Sequence, residues 1–198
     1  GFSSGADPLY QKIKADIGEF HWTPAQALGE GVNGPVSVVS WILPQAAPVR
    51  ADQKKARALP TEKWIRTRFF GEKFNDVLRR FLVDRLSGLG VAAVAPVLRP
   101  DWGRQTSERF GFASNWSERH ASHVAGLGTF GLSDGLITAR GIAVRCGSVV
   151  VGTELEPTPR PYSGPFDYCL FLAKGKCGVC MARCPAKAIS PAGHDKVK

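Results

Sequence analysis

The sequence predicts a mixed α/β (α+β) domain with a helix-covered sheet, followed by a short segment bearing most of its cysteines. Two compact, β-branched runs at residues 36–43 and 91–98 lack the polar alternation of half-exposed strands, so they read as buried strands. Helical periodicity lies before and between them, which is the order of a sheet covered on at least one face. Four of the five cysteines fall within the last thirty residues, beyond a proline-rich stretch, and these mark a separate element.

Taken in order, Leu9, Ile13, Ile17 and Phe20 stand at helical spacing and predict a short amphipathic helix over residues 8–20. Gly29, Gly31, Gly34 and Pro35 break the chain before the first strand, which Pro44 stops. Residues 45–60 are polar and carry Pro48 and Pro60, which predicts a surface loop. Thr61-Glu62-Lys63 opens a helix that runs to about Leu86, with a break expected near Gly71. Its Phe69, Phe70, Phe74, Leu78, Phe81 and Leu82 alternate with charges as in an ordinary amphipathic helix. Gly88 and Gly90 end it before the second strand, and residues 99–114 read as a long functional loop. Helical character returns at 116–124, and apolar runs at 136–138, 141–145 and 148–151 predict further strands.

A chain of 198 residues with 43% hydrophobic and 22% charged content can bury a real core and carry one medium domain plus an appendage. No apolar run is long enough for a transmembrane helix, and the opening Gly-Phe-Ser-Ser-Gly lacks a signal-peptide pattern, so no membrane partner and a cytoplasmic location are expected. The first residues read as a trimmed terminus outside the fold. The net charge of +9 is concentrated between Arg50 and Arg85, where eleven Lys and Arg face five acids. That stretch is either a solvated helix face or a basic surface for RNA, a nucleotide or an acidic redox protein.

Residues 125–131, Ala-Gly-Leu-Gly-Thr-Phe-Gly, match the spacing G-x-G-x-x-G. A dinucleotide site needs a strand before these glycines and a helix after, and here the order is reversed. The plain reading is a helix C-cap followed by a turn, and the tight backbone would also admit a ligand's close approach. His120 and His123, three apart on one helix, are either a metal or proton-transfer pair or one packed and one exposed histidine. Cys146 reads as a small strand residue. Asp134 is a turn former or a general acid beside the glycine loop. No Ser/His/Asp or Cys/His nucleophile set stands out.

Pro157, Pro159, Pro161 and Pro165 make a stiff linker, which places a domain boundary between residues 1–156 and 157–198. Beyond it, Cys177, Cys180 and Cys184-Pro185 follow C-x2-C-x3-C-P, the last three positions of the bacterial ferredoxin run, in which successive sulfurs bind different irons. Lys174 occupies the position of the missing first cysteine, and Cys169 is the candidate to replace it. Either these four thiols share one 4Fe–4S cluster, or the segment is a truncated half of a two-cluster domain. A disulfide pair or buried thiols is the competing reading.

Together, Glu118-Arg119-His120, the glycine loop, Leu136-Ile137-Thr138, the proline-rich link and the cysteine run resemble the epoxyqueuosine reductase and reductive dehalogenase superfamily, and among it the ferredoxin-type 4Fe–4S members. The resemblance spans the chain from about Val36 and is specific from Glu118 to Ile189. It implies a nitroreductase-like mixed sheet binding cobalamin, joined to a partial ferredoxin-like segment whose clusters supply electrons. It further implies that Arg119 lies on the substrate side and that Gly126, Gly128, Thr129 and Gly131 border the corrinoid. The position matching the family's acidic proton donor is Phe112, and Leu132-Ser133-Asp134 stands where those reductases carry Lys-Asn-Thr, so reduction of epoxyqueuosine in tRNA is not what this site predicts.

The functional expectation is an iron–sulfur oxidoreductase in which Cys169, Cys177, Cys180 and Cys184 hold the cluster, one or two in number. Arg119 and Asp134 are its candidate catalytic residues, cobalamin its second cofactor, and a ferredoxin or flavodoxin its electron donor. The substrate is a small molecule or tRNA. The alternatives are a non-catalytic electron carrier or partner-docking module, and an RNA-binding protein using the basic face.

Overall fold

A computed structural model describes residues 1–198 except Glu30 and Val32. It forms two compact units, Gly1–Trp41 with Asn75–Leu127 and Cys146–Pro161, and Ile42–Phe74 with Gly128–Arg145 and Tyr162–Lys198. The proline-rich stretch is thereby divided between Pro161 and Tyr162.

The first unit is built on a four-stranded sheet in the order β1-β2-β8-β3, from Phe2–Ser4, Ser37–Pro44, Val144–Val151 and Ala93–Val94. Both outer strands pair antiparallel with their neighbours. Because strand side chains alternate between faces, Val150 of β8 enters one apolar cluster while Val149 and Val151 enter another. The first cluster gathers Tyr10, Ile13 and Ile17 of α1 (Pro8–Ile17), Ala27 of α2 (Pro24–Leu28), Val38, Trp116, and Ala121 and Val124 of α5 (Glu118–Val124). The second packs Leu82, Val83 and Leu86, from the end of helix α4 (Glu62–Ser87), onto the other face. A sheet buried on both faces is what the unalternating apolar runs predict, and the mixed α/β class holds.

Several expectations are corrected. The opening residues belong to the fold, since β1 is an edge strand and the Gly1 ammonium donates to the Ser40 carbonyl at 2.9 Å. The stretch expected as a loop contains helix α3 (Ala47–Lys55), because Pro48 falls in its first turn, where no backbone donor is needed. Helix α4 runs unbroken through Gly71, as one interior glycine costs only about 1 kcal/mol against alanine. A Cβ there would come within 3.3 Å of Arg145 Nε, so the glycine admits a close neighbour.

The second predicted strand shrinks to β3, because Pro96 lacks a ladder donor and starts a 3-10 turn, Pro96–Leu98. Residues 99–114 are not one loop. They contain the hairpin β4 (Arg104–Ser107) and β5 (Gly111–Ser114), with Ser107 opposite Gly111 and Gly111 at φ +63° closing the three-residue connection. The last two predicted strands are one, β8.

Leu82 packs inward as the amphipathic pattern predicts, but the aromatic stretch of helix α4 is turned opposite to it. Phe69, Phe70, Phe74, Val77 and Phe81 are exposed, whereas Asn75 and Arg79 are fully buried. The inward face is polar because it meets polar groups. Asn75 Nδ2 donates to the Cys146 carbonyl at 2.9 Å and Asn75 Oδ1 accepts from Trp41 Nε1 at 2.8 Å, while Arg79 reaches the same carbonyl and the carboxylates of Asp76 and Glu118.

The second unit contains the hairpin β6 (Gly128–Phe130) and β7 (Leu136–Thr138), the short helices α6 (Leu170–Lys174) and α7 (Val179–Arg183), and a small hairpin of β9 (Ile189–Ser190) and β10 (Gly193–His194). No helix among the described residues is long and apolar enough to cross a membrane.

Candidate iron–sulfur segment and the glycine loop

The cysteine segment starts where α6 does. Cys169 is its N-cap residue and is buried, and its carbonyl accepts from Ala173 N at 2.8 Å. Cys177 follows on an exposed bend at φ +92°, before Gly178 at φ +139°. That unusual backbone turns two amides back on the sulfur, so the N–H groups of Val179 and Gly178 hold the Cys177 thiol below its ordinary pKa. Cys180 lies within α7 and Cys184 just beyond it, both half-buried. Ala188 N donates to Cys184 Sγ at 3.3 Å.

All five cysteines stand as free thiols. Among the described residues no three His, Cys, Asp or Glu side chains are grouped to hold one metal ion. A mononuclear tetrahedral ion needs all its ligands at bonding distance of one point. A four-iron cluster is a different demand, because each thiolate binds its own iron and the ligands stand farther apart. Amide donors aimed at two of the four sulfurs suit that demand, for N–H···S contacts stabilise thiolates and tune clusters.

One further anchor holds the segment. Arg183 donates to the carbonyls of Lys54 at 3.1 Å and Ala56 at 2.8 Å, at the end of α3. Sequence reading passed over Arg183 and the amides of Gly178, Val179 and Ala188. The arginine's position next to Cys184 is a readable signal, whereas backbone amides carry none.

The glycine loop divides into two pieces with different tasks. Leu127 N donates to Ser122 O at 3.0 Å and Gly126 N to His123 O at 3.2 Å, with Gly126 at φ +82°, which is a Schellman cap on α5. The plain helix-cap reading is therefore the observed one. Gly128 already belongs to β6, where a Cβ would fall 2.3 Å from the Ile137 carbonyl oxygen. Thr129 is completely buried, and its hydroxyl accepts from Tyr168 N at 2.9 Å. Phe130 N donates to Pro165 O at 2.7 Å, and Gly131 N to Gly135 O at 2.8 Å within the turn joining β6 to β7.

The other candidates are placed as follows. Arg119 is exposed on α5. Glu118 beside it faces inward to Arg79 and Ser148. His123 is buried and His120 half-buried, its Nδ1 2.8 Å from Ser117 Oγ, and among the described residues no group of three His, Cys, Asp or Glu includes them. Asp134 sits in the turn at φ +59°, with its carboxylate 3.0 Å from His194 Nδ1 and 4.0 Å from Lys196 Nζ. Phe112 is exposed on β5 under the Arg104 guanidinium. A depression of about 560 Å³ in the second unit is lined by Leu43, Phe70, Phe74, Arg66 and Arg145 among others, and contains none of these candidates.

No protein-family model matches the chain, and no curated protein sequence matches it. Solved structures do. Epoxyqueuosine reductase from Streptococcus thermophilus is similar at a TM-score of 0.50 and 14% identity, over 100% of this chain and 51% of that one. The Bacillus subtilis epoxyqueuosine reductase, solved with its catalytic loop swung out of the active site, gives a TM-score of 0.46 and 15% identity, over 98% and 49%. The chain spans about half the length of either reductase. Its fold is the one seen in epoxyqueuosine reductase.

Proposed function

We propose that the chain is the iron–sulfur part of an oxidoreductase, with Cys169, Cys177, Cys180 and Cys184 as ligands of a 4Fe–4S cluster. The observation that carries this reading is the set of backbone amides turned onto Cys177 and Cys184, combined with the C-x2-C-x3-C-P spacing. A bound cluster supplies single-electron transfer, and the chain's part is to order the thiolates and donate hydrogen bonds to them. The net charge of +9 favours an acidic electron-donor protein of the ferredoxin or flavodoxin type.

The glycine loop does not fit a corrinoid cradle, because its groups are committed within the chain. Gly126 caps α5, Gly128 packs on Ile137, and Thr129 and Phe130 hold residues 165 and 168. This commitment favours, as a second reading, an electron-carrying module whose catalytic cofactor lies elsewhere. Phe112, which cannot donate a proton, is exposed at the position that matches the family's acidic donor, while Asp134, paired with His194, is the candidate general acid, and the substrate is a small molecule or tRNA.

Anaerobic reconstitution with iron and sulfide tests the first reading. About four irons per chain and a visible absorbance that dithionite bleaches are expected. Iron at background would refute it. Cobalamin retained through gel filtration with a shifted spectrum would restore the corrinoid and remove the carrier reading.

A further inference from the structure

We infer that Thr129 is a positioning residue for Cys169, and that strand β6 is the strip on which the segment leading to that cysteine is docked. The inference deepens the iron–sulfur reading, since it concerns one of the proposed ligands. Three hydrogen bonds run from β6 to residues 162–168. Gly128 N donates to the Tyr162 hydroxyl at 3.4 Å, Phe130 N to the Pro165 carbonyl at 2.7 Å, and Tyr168 N to Thr129 Oγ1 at 2.9 Å.

Between these contacts the segment is closed on itself. Asp167 Oδ2 accepts from Ser163 N at 2.8 Å and Gly164 N at 3.0 Å, and the rings of Tyr162 and Tyr168 meet edge to face at 5.6 Å. The segment ends in a turn that bonds Cys169 N to Phe166 O at 2.9 Å. The cysteine therefore leaves a loop fixed at both ends.

Thr129 is the only side chain of β6 among these three bonds. It holds the amide immediately before Cys169, a donor that precedes the helix and has no partner inside it. A β-branched side chain has few rotamers, so the hydroxyl is aimed rather than sampled. Since Thr129 is completely buried, removing the hydroxyl leaves the Tyr168 amide unsatisfied, which the fold relieves by releasing that residue. The residue that the family resemblance assigns to a cofactor border thus acts on the neighbouring cysteine.

The test compares Thr129→Val, Thr129→Ala and Thr129→Ser with the parent chain, in the reduced metal-free form and after reconstitution. In the metal-free protein, iodoacetamide labelling of Cys169 is followed by peptide mass spectrometry. Losing one hydrogen bond predicts labelling about fivefold faster in the Val and Ala variants, with Ser restoring the parent rate. Val38→Ala, which lowers stability in the other unit, serves as the control and leaves Cys169 labelling at the parent rate. In the reconstituted form, the Val and Ala variants show a shifted reduction potential or lost iron, and Ser again matches the parent.

Equal labelling across all variants, or acceleration in Val38→Ala to the same degree, would overturn the inference. Should the parent chain take up no iron, the cluster assignment fails, while the labelling series still decides the role of Thr129.

Discussion

Arg79 Nε and one of its terminal nitrogens both reach the same oxygen of Glu118, at 3.1 and 2.9 Å, with the arginine side chain 2% and the glutamate 14% exposed. Ser148 donates to the other oxygen, and Trp116 Nε1 donates to Ser148 Oγ at 3.1 Å. Removing one member of so buried a pair strands the other, at a cost of about 3–5 kcal/mol. Arg79→Met and Glu118→Gln should each lower the unfolding free energy obtained from urea titration by that amount. The double variant should lose at least about 1 kcal/mol less than the sum. Additive losses would show that the two side chains are not coupled.

Gly128 leaves no space for a side chain. Its missing Cβ would overlap the Ile137 carbonyl, so Gly128→Ala should destabilise by about 1–3 kcal/mol as overpacking does. Differential scanning calorimetry checks it, and an unchanged unfolding temperature would show that β6 and β7 are farther apart than described.

His21 should make stability depend on pH. Burial lowers its pKa, the Ser114 carbonyl bond opposes that shift, and the Lys14 ammonium adds to it. The neutral ring donates from Nδ1 to Ser114 O at 2.9 Å. The unfolded chain then binds the proton first, so stability is complete above about pH 6.5 and falls as pH drops, by up to about 1.4 kcal/mol per unit. His21→Asn should flatten this slope in urea titrations between about pH 5 and 7. A slope the same in parent and variant assigns the dependence to other groups.

The outward ring of α4 should tolerate what its inward arginine does not. Phe74→Ser and Phe81→Ser, at positions 55% and 61% exposed, should each change stability by less than about 0.5 kcal/mol. A loss of 2 kcal/mol or more would mean that these rings are covered in solution.

Much of the fold was readable because strand burial leaves a direct mark on composition. Val38, Val149, Val150 and Val151 sit in runs without polar alternation, and they lie on the sheet buried on both faces. The orientation of α4 was unreadable because periodicity reports where apolar side chains cluster and not which side is covered. Asn75 and Arg79 point inward because Cys146 O and Glu118 are there to meet them, a fact of tertiary placement. The hairpin at 104–114 was missed since Arg104-Gln105-Thr106 carries no apolar face, and Gly111 was its only turn signal. In the site, the cysteine spacing was visible, whereas the amides on Cys177 and Cys184 depend on backbone angles that no side chain announces.

Arg183 ties the end of α7 to two carbonyls of another helix with bonds that involve no thiol. The backbone around Cys184 is therefore ordered as the protein folds, before any ligand reaches it. Conformational freedom that is lost at folding need not be lost again on binding, so any group that met that sulfur would do so at a smaller entropic penalty than at a loose tail.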